Sequence, residues 1–277
     1  MQLPGGIRID GELRETFHFK PVTGLLELAL SESALRACTH PARVTSVLCE
    51  ALNDLGGMPP SASLVRELSV GDRQFLMRCL AVHIDDQPVW LTAKCGRCAE
   101  SFDLSFQHSE LPVKPAGRDY PETMVETTQG SILVRVPTGS DQEAVAVIQE
   151  EGRAIRALLE RLISRQGNGD PLDVEALTEG DIEAIEKAAE EMAPEIAQSL
   201  LVQCPNCSAE NEVPLTPYAC MEKPVGNLYS EVHTLAANYH WSEHEILTLP
   251  RSRRHTYLSL IDSSRGMNSS GNFEGGG

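Results

Sequence analysis

Two short cysteine pairs constrain this chain more than any other feature: Cys95-Gly96-Arg97-Cys98 and Cys204-Pro205-Asn206-Cys207. A CxxC turn aims two thiolates at one tetrahedral ion, and two such turns complete a four-cysteine shell. The flanks repeat too. VWLTAKCGRCAESFDLSF and SLLVQCPNCSAENEVPL each read as apolar stretch, CxxC, polar turn and alternating strand. That is the pattern of two zinc-ribbon knuckles facing each other across one metal. The pairs of an uninterrupted ribbon are separated by roughly 15–20 residues, whereas 105 residues lie between Cys98 and Cys204. A large insertion must therefore leave the ribbon and re-enter it. A closed four-cysteine site keeps no position for water, so its expected role is structural. Zinc is the expected cofactor, with iron the chemical alternative for the same shell. Two separate redox dithiols are the competing reading, but neither pair stands at the start of a helix after a strand, the setting that lowers a thiol pKa.

The other four cysteines stand alone. Cys49 and Cys79 lie in apolar helical stretches and are expected to pack as small hydrophobes; Cys38 and Cys220 receive no role. With 40 acidic against 23 basic residues the net charge is −17, which opposes nonspecific binding to nucleic acid. The start, MQLPGGIRIDGELRE, has no basic stretch followed by an apolar run, and the longest apolar runs fall far short of the roughly 20 residues of a membrane span. The expectation is a cytoplasmic protein with reduced thiols and no membrane partner.

Along the chain, the fold class expected is α+β. It comprises a β-containing N-terminal portion, a split four-cysteine zinc ribbon, a helical insertion and a helical C-terminal segment. Residues 1–109 form an N-terminal α+β region carrying the first knuckle. Within it, 1–22 read as strands turning at Asp10-Gly11. LLELALSESAL reads as a helix opened by Thr23-Gly24, 43–55 as a second helix ended by Gly56-Gly57, and SVGDRQFLMRCLAVHI as a third capped by Ser69 or Asp72. A strand over 89–93 leads into the knuckle. Residues 110–200 form an inserted strand, clearest at 131–137, and an acidic helical region: 141–196 hold 15 acidic and 5 basic residues. Two helices are expected there, 142–166 and 178–193. The first would bury Val145, Val147 or Ile148, Ile155, Leu158 or Leu159 and Leu162; the second has a cap at Thr178 and Asp181. The second knuckle occupies 201–221, a helical segment 222–265 and a flexible tail 266–277.

In the C-terminal segment Leu228, Val232, Leu235 and Tyr239 share one helical side. Ser242 and Glu245 form a capping box, and Pro250 separates the short helix that follows from another. His240 and His244 are four apart, but the Ser242 cap between them breaks the helix register a metal pair needs. Arg251, Arg253, Arg254 and His255 are the one basic cluster. A helix-turn-helix is a weak fit, since the joint is Pro and no long basic face follows. Partner docking or pairing with the acidic helices fits better. GxSxG, Walker A, GxGxxG and HExxH signatures are all missing from the sequence, and no catalytic residues or activity are expected.

The segments GIRIDGELRETFHFKPVTG, SVGDRQFLMRCL, KCGRC, SILVRVPTGSDQ, QCPNC and EVHTLAANYHWSEHEILTLPRSRRHTYLSLI occur in that order. Together they resemble the T-even-phage family of baseplate hub assembly proteins, found in contractile phages and bacterial contractile injection systems. The likeness spans nearly all of residues 1–262 and is most specific at YHWSEHEILTLPRSRRHTYLSLI. It implies baseplate assembly without catalysis, as a chaperone or adaptor for hub or wedge proteins. The residues themselves point to a partner surface in 225–262, with Tyr239, Trp241, Leu247, Arg251, Arg253, Arg254 and Tyr257 as candidate contacts. A zinc-ribbon nucleic-acid-binding or regulatory protein is the alternative.

Overall fold

A two-residue turn sets the first element. Asp10 (φ 52°) and Gly11 (φ 82°) both adopt the left-handed conformation that joins twisted strands tightly, so β1 (Gln2–Ile9) folds back on β2 (Glu12–Phe19). The computed structural model describes residues 1–165, 172–218, 221 and 226–270. Thr23 caps α1 (Gly24–Arg36) through the Leu26 amide, and α2 (His40–Ala51) follows. The helix expected over 43–55 starts earlier and ends at Ala51. Leu52 and Leu55 then pair with the free edge of β2 as β3 (Leu52–Leu55). Paired this way, both leucines become fully buried, and the β2 edge is covered. Gly56 and Gly57, at positive φ, turn the chain after that strand rather than after the helix.

Next come α3 (Ala62–Glu67) and α4 (Val70–Ile84), capped by Ser61 and Ser69. Phe17, Leu48, Leu52, Leu76 and Leu80 centre a core shared by the sheet, α2 and α4. The start of α4 also buries two opposite charges. Asp72 accepts from the Gly5 amide (2.9 Å), Ser69 Oγ (2.6 Å) and the Tyr120 hydroxyl (3.1 Å). Arg73 donates to Thr45 Oγ1 and to the Val65 and Pro41 carbonyls. Such partners are what make a buried charge tolerable.

The chain then runs through β4 (Val89–Lys94) and β5 (Ser101–Phe106), a 3-10 turn at His108–Glu110 and β6 (Val113–Lys114) into the insertion. There β7 (Glu122–Thr127), β8 (Gly130–Arg135) and, after two helices, β9 (Ile163–Arg165) make a sheet of order β7-β8-β9. The single helix expected over 142–166 is instead α5 (Gly139–Val145) and α6 (Glu151–Leu162), followed by β9. The break re-aims α6 so that Leu159 and Leu162 meet Ile132 and Val134. Ile155, expected inside, is 53 % exposed, and of the alternatives Val147 and Ile148 it is Ile148 that is half-buried while Val147 is 70 % exposed. Asp141 fixes the arrangement, binding Arg135 of β8 (2.6 Å) and Arg161 of α6 (2.7 Å) while capping α5 at Thr138. Helix α5 also packs on α2, α3 and α4, so the insertion is joined to the N-terminal layer rather than set apart from it.

Helix α7 (Glu179–Met192) begins with the expected Thr178–Asp181 capping box. β10 (Glu195–Ile196) then pairs antiparallel with β6, which returns the chain to its point of departure. β11 (Ser199–Gln203) and β12 (Glu210–Pro214) follow. Finally α8 (Gly226–Tyr239), α9 (Glu243–Thr248) and α10 (Arg251–Ser270) surround Leu235, Ile246 and Ile261. The Ser242–Glu245 box caps α9 as expected. Helix α10 continues into the first residues of the segment expected to be a tail; 271–277 and Cys220 lie outside the described residues. The architecture is α+β. Among the described residues, no helix is long and apolar enough to cross a membrane.

Candidate metal centre

The pairing of β6 with β10 explains how cysteines with 105 residues between them can share a site. The ribbon's first hairpin, β4–β5, leaves the body just before that pairing, and its second, β11–β12, just after it. Each hairpin carries one knuckle, and the knuckles repeat bond for bond. The Cys95 amide donates to the Glu100 carbonyl (2.9 Å) and Ala99 to the Cys95 carbonyl (3.0 Å). In the second knuckle Cys204 donates to Ala209 (2.9 Å) and Ser208 to Cys204 (2.9 Å). Ala99 and Ser208 both sit at positive φ, 63° and 57°, the tight corner that turns each chain away beneath its second cysteine.

The four sulfurs lie within 4.8 Å of one another. Cys95 Sγ is 3.6 Å from Cys207 Sγ, and Cys98 Sγ is 3.7 Å from Cys204 Sγ. A metal–sulfur distance of about 2.3 Å in a tetrahedron implies sulfurs about 3.8 Å apart, close to this spacing and far from the ~2.0 Å of a disulfide. Cys95 and Cys204 are buried, Cys98 and Cys207 half-buried. The surrounding donors favour thiolates. The Arg97 amide points at Cys95 Sγ (3.4 Å) and Asn206 Nδ2 reaches across to Cys98 Sγ (3.7 Å), while the Gly96 amide binds Asn211 Oδ1 of the other hairpin (2.9 Å). The Cys98 and Arg97 amides pull the Cys95 thiol down to about 6. At Cys207 the Ala209 amide pulls the same way, but burial and the three neighbouring sulfurs outweigh it and leave the thiol at about 11. A bound divalent ion would hold all four thiols deprotonated whatever their order without it. The donor set fits a metal ion bound by four thiolates.

Among the described residues no other group of three or more His, Cys, Asp and Glu side chains has metal-binding spacing. His240 follows the end of α8 at φ 58°, so it and His244 do not share a helical face. Cys49 and Cys79 are half-buried beside the N-terminal core and Cys38 is exposed.

The seven candidate partner contacts divide. Tyr239, Trp241 and Tyr257 gather into one half-buried cluster, with ring centroids 4.9 Å (Tyr239–Trp241), 5.4 Å (Tyr239–Tyr257) and 4.9 Å (Trp241–Tyr257) apart. Arg253 is exposed. Arg251 lies against the end of α4, 3.4 Å from the Ile84 carbonyl and 3.9 Å from Asp85. Leu247 and Arg254 turn inward, 5 % and 0 % exposed, and therefore do not belong to an outer surface. Arg254 binds Glu27 of α1 (2.6 Å), Glu231 of α8 (2.9 Å) and the Leu249 carbonyl (3.0 Å), locking the C-terminal helices onto the N-terminal region. The sequence carried a signal for this. Arg254 shares a helical stripe with Tyr257, Leu258 and Ile261, so it lies on the face that packs inward.

The fold and site together define an α+β protein with a four-cysteine centre shared by two distant hairpins. Compared with protein-family models, with curated proteins and with solved structures, the chain matches none.

Proposed function

We propose that this chain is a non-enzymatic assembly factor. Its four-cysteine centre holds a structural zinc, and its C-terminal helices present a partner surface around Tyr239, Trp241 and Tyr257. On the sequence resemblance, the assembly is the baseplate of a contractile phage tail or injection system, and the partners are hub or wedge proteins in the producing cell's cytoplasm. The observation that carries the reading is the aromatic cluster. Three large rings stay half-buried where they pack on the Leu235, Ile246 and Ile261 core of a unit that Arg254 ties to α1, and clustered aromatics on a rigid support are typical anchors of protein interfaces. Four thiolates leave a metal no open position for a reaction, which fits a structural role. The nucleic-acid alternative is weakened, because Arg254 is withdrawn from the one basic cluster into the interior.

The test is capture of baseplate proteins by the tagged full-length chain co-expressed with its neighbouring genes, compared with Trp241→Ala and Tyr257→Ala chains. The reading expects hub or wedge proteins with the parent chain and at least about a tenfold loss with either variant, the order of effect of a hot-spot aromatic. Capture of nucleic acid alone, or undiminished capture by both variants, would overturn it.

A further inference from the structure

We infer that the ribbon, residues 89–106 and 199–214, is a metal-conditional folding unit, ordered when the ion is bound and disordered without it, while the remaining fold stands in both states. The inference rests on reading the four cysteines as one metal site.

The packing carries it. Among the described residues each hairpin is a two-stranded sheet with no further strand on either edge, and such a hairpin by itself is marginal in water. Across β4–β5 the inner pairs are Leu91 with Leu104 and Ala93 with Phe102; across β11–β12 Leu200 faces Val213. Of these only Val213 is classed as buried, and none belongs to any of the three apolar cores. Among the described residues no helix or other strand packs extensively against either hairpin. What joins the hairpins, besides the sulfurs, is the Gly96–Asn211 and Asn206–Cys98 bonds. Removing the ion therefore leaves four clustered thiols and little apolar burial to hold them together.

The base of the ribbon is built differently, and this stops the disorder from spreading. Arg78, itself buried in α4, donates to the Pro112 carbonyl, and the Ala197 amide donates to the same oxygen. The β6–β10 pairing closes above them. Both exits of the insertion are thus fixed to the body without help from the ion. Because a metal site and its fold form together, metal supply becomes a switch between a projecting, ordered ribbon and two free loops. In the second state the apolar faces of Leu91, Phe102, Leu104 and Leu200 are exposed.

The experiment is hydrogen exchange on the full-length, reduced chain as purified, after chelation, and after adding back zinc alone, with bound zinc measured on each sample. The inference expects ribbon amides to exchange at least about 100-fold faster after chelation and to recover with zinc, while amides in 47–55, 76–80 and 132–134 change by less than about threefold. Cys204→Ser should reproduce the chelated pattern, and Cys38→Ser should not. Zinc binding with uniform acceleration across the chain, or with unchanged ribbon amides, would overturn this inference and leave the metal centre standing. A chain that binds no zinc and protects its ribbon regardless would overturn both.

Discussion

The N-terminal layer and the ribbon are both made of antiparallel hairpins, yet they are held by unlike means. In the first, β2 is buried from one side by Phe17 and Phe19, covered at its edge by β3 and backed by α2 and α4. In the second, among the described residues, neither pair of strands has a further strand on its edges, and the four clustered sulfurs bring the two hairpins together. A strand pattern therefore shows that a hairpin forms, and its surroundings decide what keeps it. Where apolar neighbours are plentiful, burial is enough; where they are few, a metal held by the four cysteines would take the place of the missing core.

Breaking the site that defines the ribbon should give the largest effect. Structural zinc contributes apparent binding energies of about 10–16 kcal/mol in small zinc domains, so Cys95→Ser or Cys207→Ser should abolish tight zinc binding, read by competition with a chromogenic chelator. Next comes the core. Phe17→Ala should cost about 3–5 kcal/mol in urea unfolding, whereas Phe102→Ala in the zinc-loaded ribbon should cost no more than about 1 kcal/mol, because its ring is only half removed from water. Comparable losses at the two positions would erase the contrast. Arg254→Ala should also cost about 3–5 kcal/mol, since it removes a fully buried charge and leaves the partly buried Glu27 and Glu231 without their partner. A variant as stable as the parent would show the clamp to be dispensable.

A smaller effect concerns acid. Burial disfavours a charge on Asp141, but Arg135, the Thr138 amide and Arg161 prevail and hold its carboxyl at about 2, below the ordinary 3.8. Its folded pKa is depressed, so its contribution to stability is complete above about pH 4 and is lost as the pH falls towards about 2. Asp141→Asn should be less stable at neutral pH and should lose less on acidification than the parent over that window, measured by unfolding at a series of pH values. Parallel curves would assign the acid sensitivity elsewhere. The smallest change expected is at Trp90, 71 % exposed on the outer side of β4: Trp90→Ser should shift unfolding by less than about 0.5 kcal/mol.

Local signals were legible in the sequence wherever one residue's chemistry decided the outcome. The Asp10-Gly11 turn, the Ser69, Thr178 and Ser242 caps and the four cysteines all stand where spacing placed them. Features set by distant partners were not legible. Leu52–Leu55 reads as the last turn of a helix and becomes a strand because β2 offers an edge. Helix 142–166 breaks because Asp141 must meet Arg135 and Arg161 together. Gly71 illustrates the same limit. A side chain there would approach the Pro194 carbonyl oxygen to 1.8 Å, a contact between residues more than a hundred positions apart. Leu247 reads as an outward contact from local pattern, and only the packing of α1 against α9 turns it inward; for Arg254 the helical stripe with Tyr257, Leu258 and Ile261 already pointed inward.

The central claim is that both knuckles serve one ion, and zinc stoichiometry across single-cysteine variants tests it most directly. The account predicts about one tightly bound zinc per chain for the parent and a loss of tight binding on changing any one of Cys95, Cys98, Cys204 and Cys207 to Ser. Two zinc ions per chain, or variants in one knuckle that leave the other knuckle's metal in place, would contradict it.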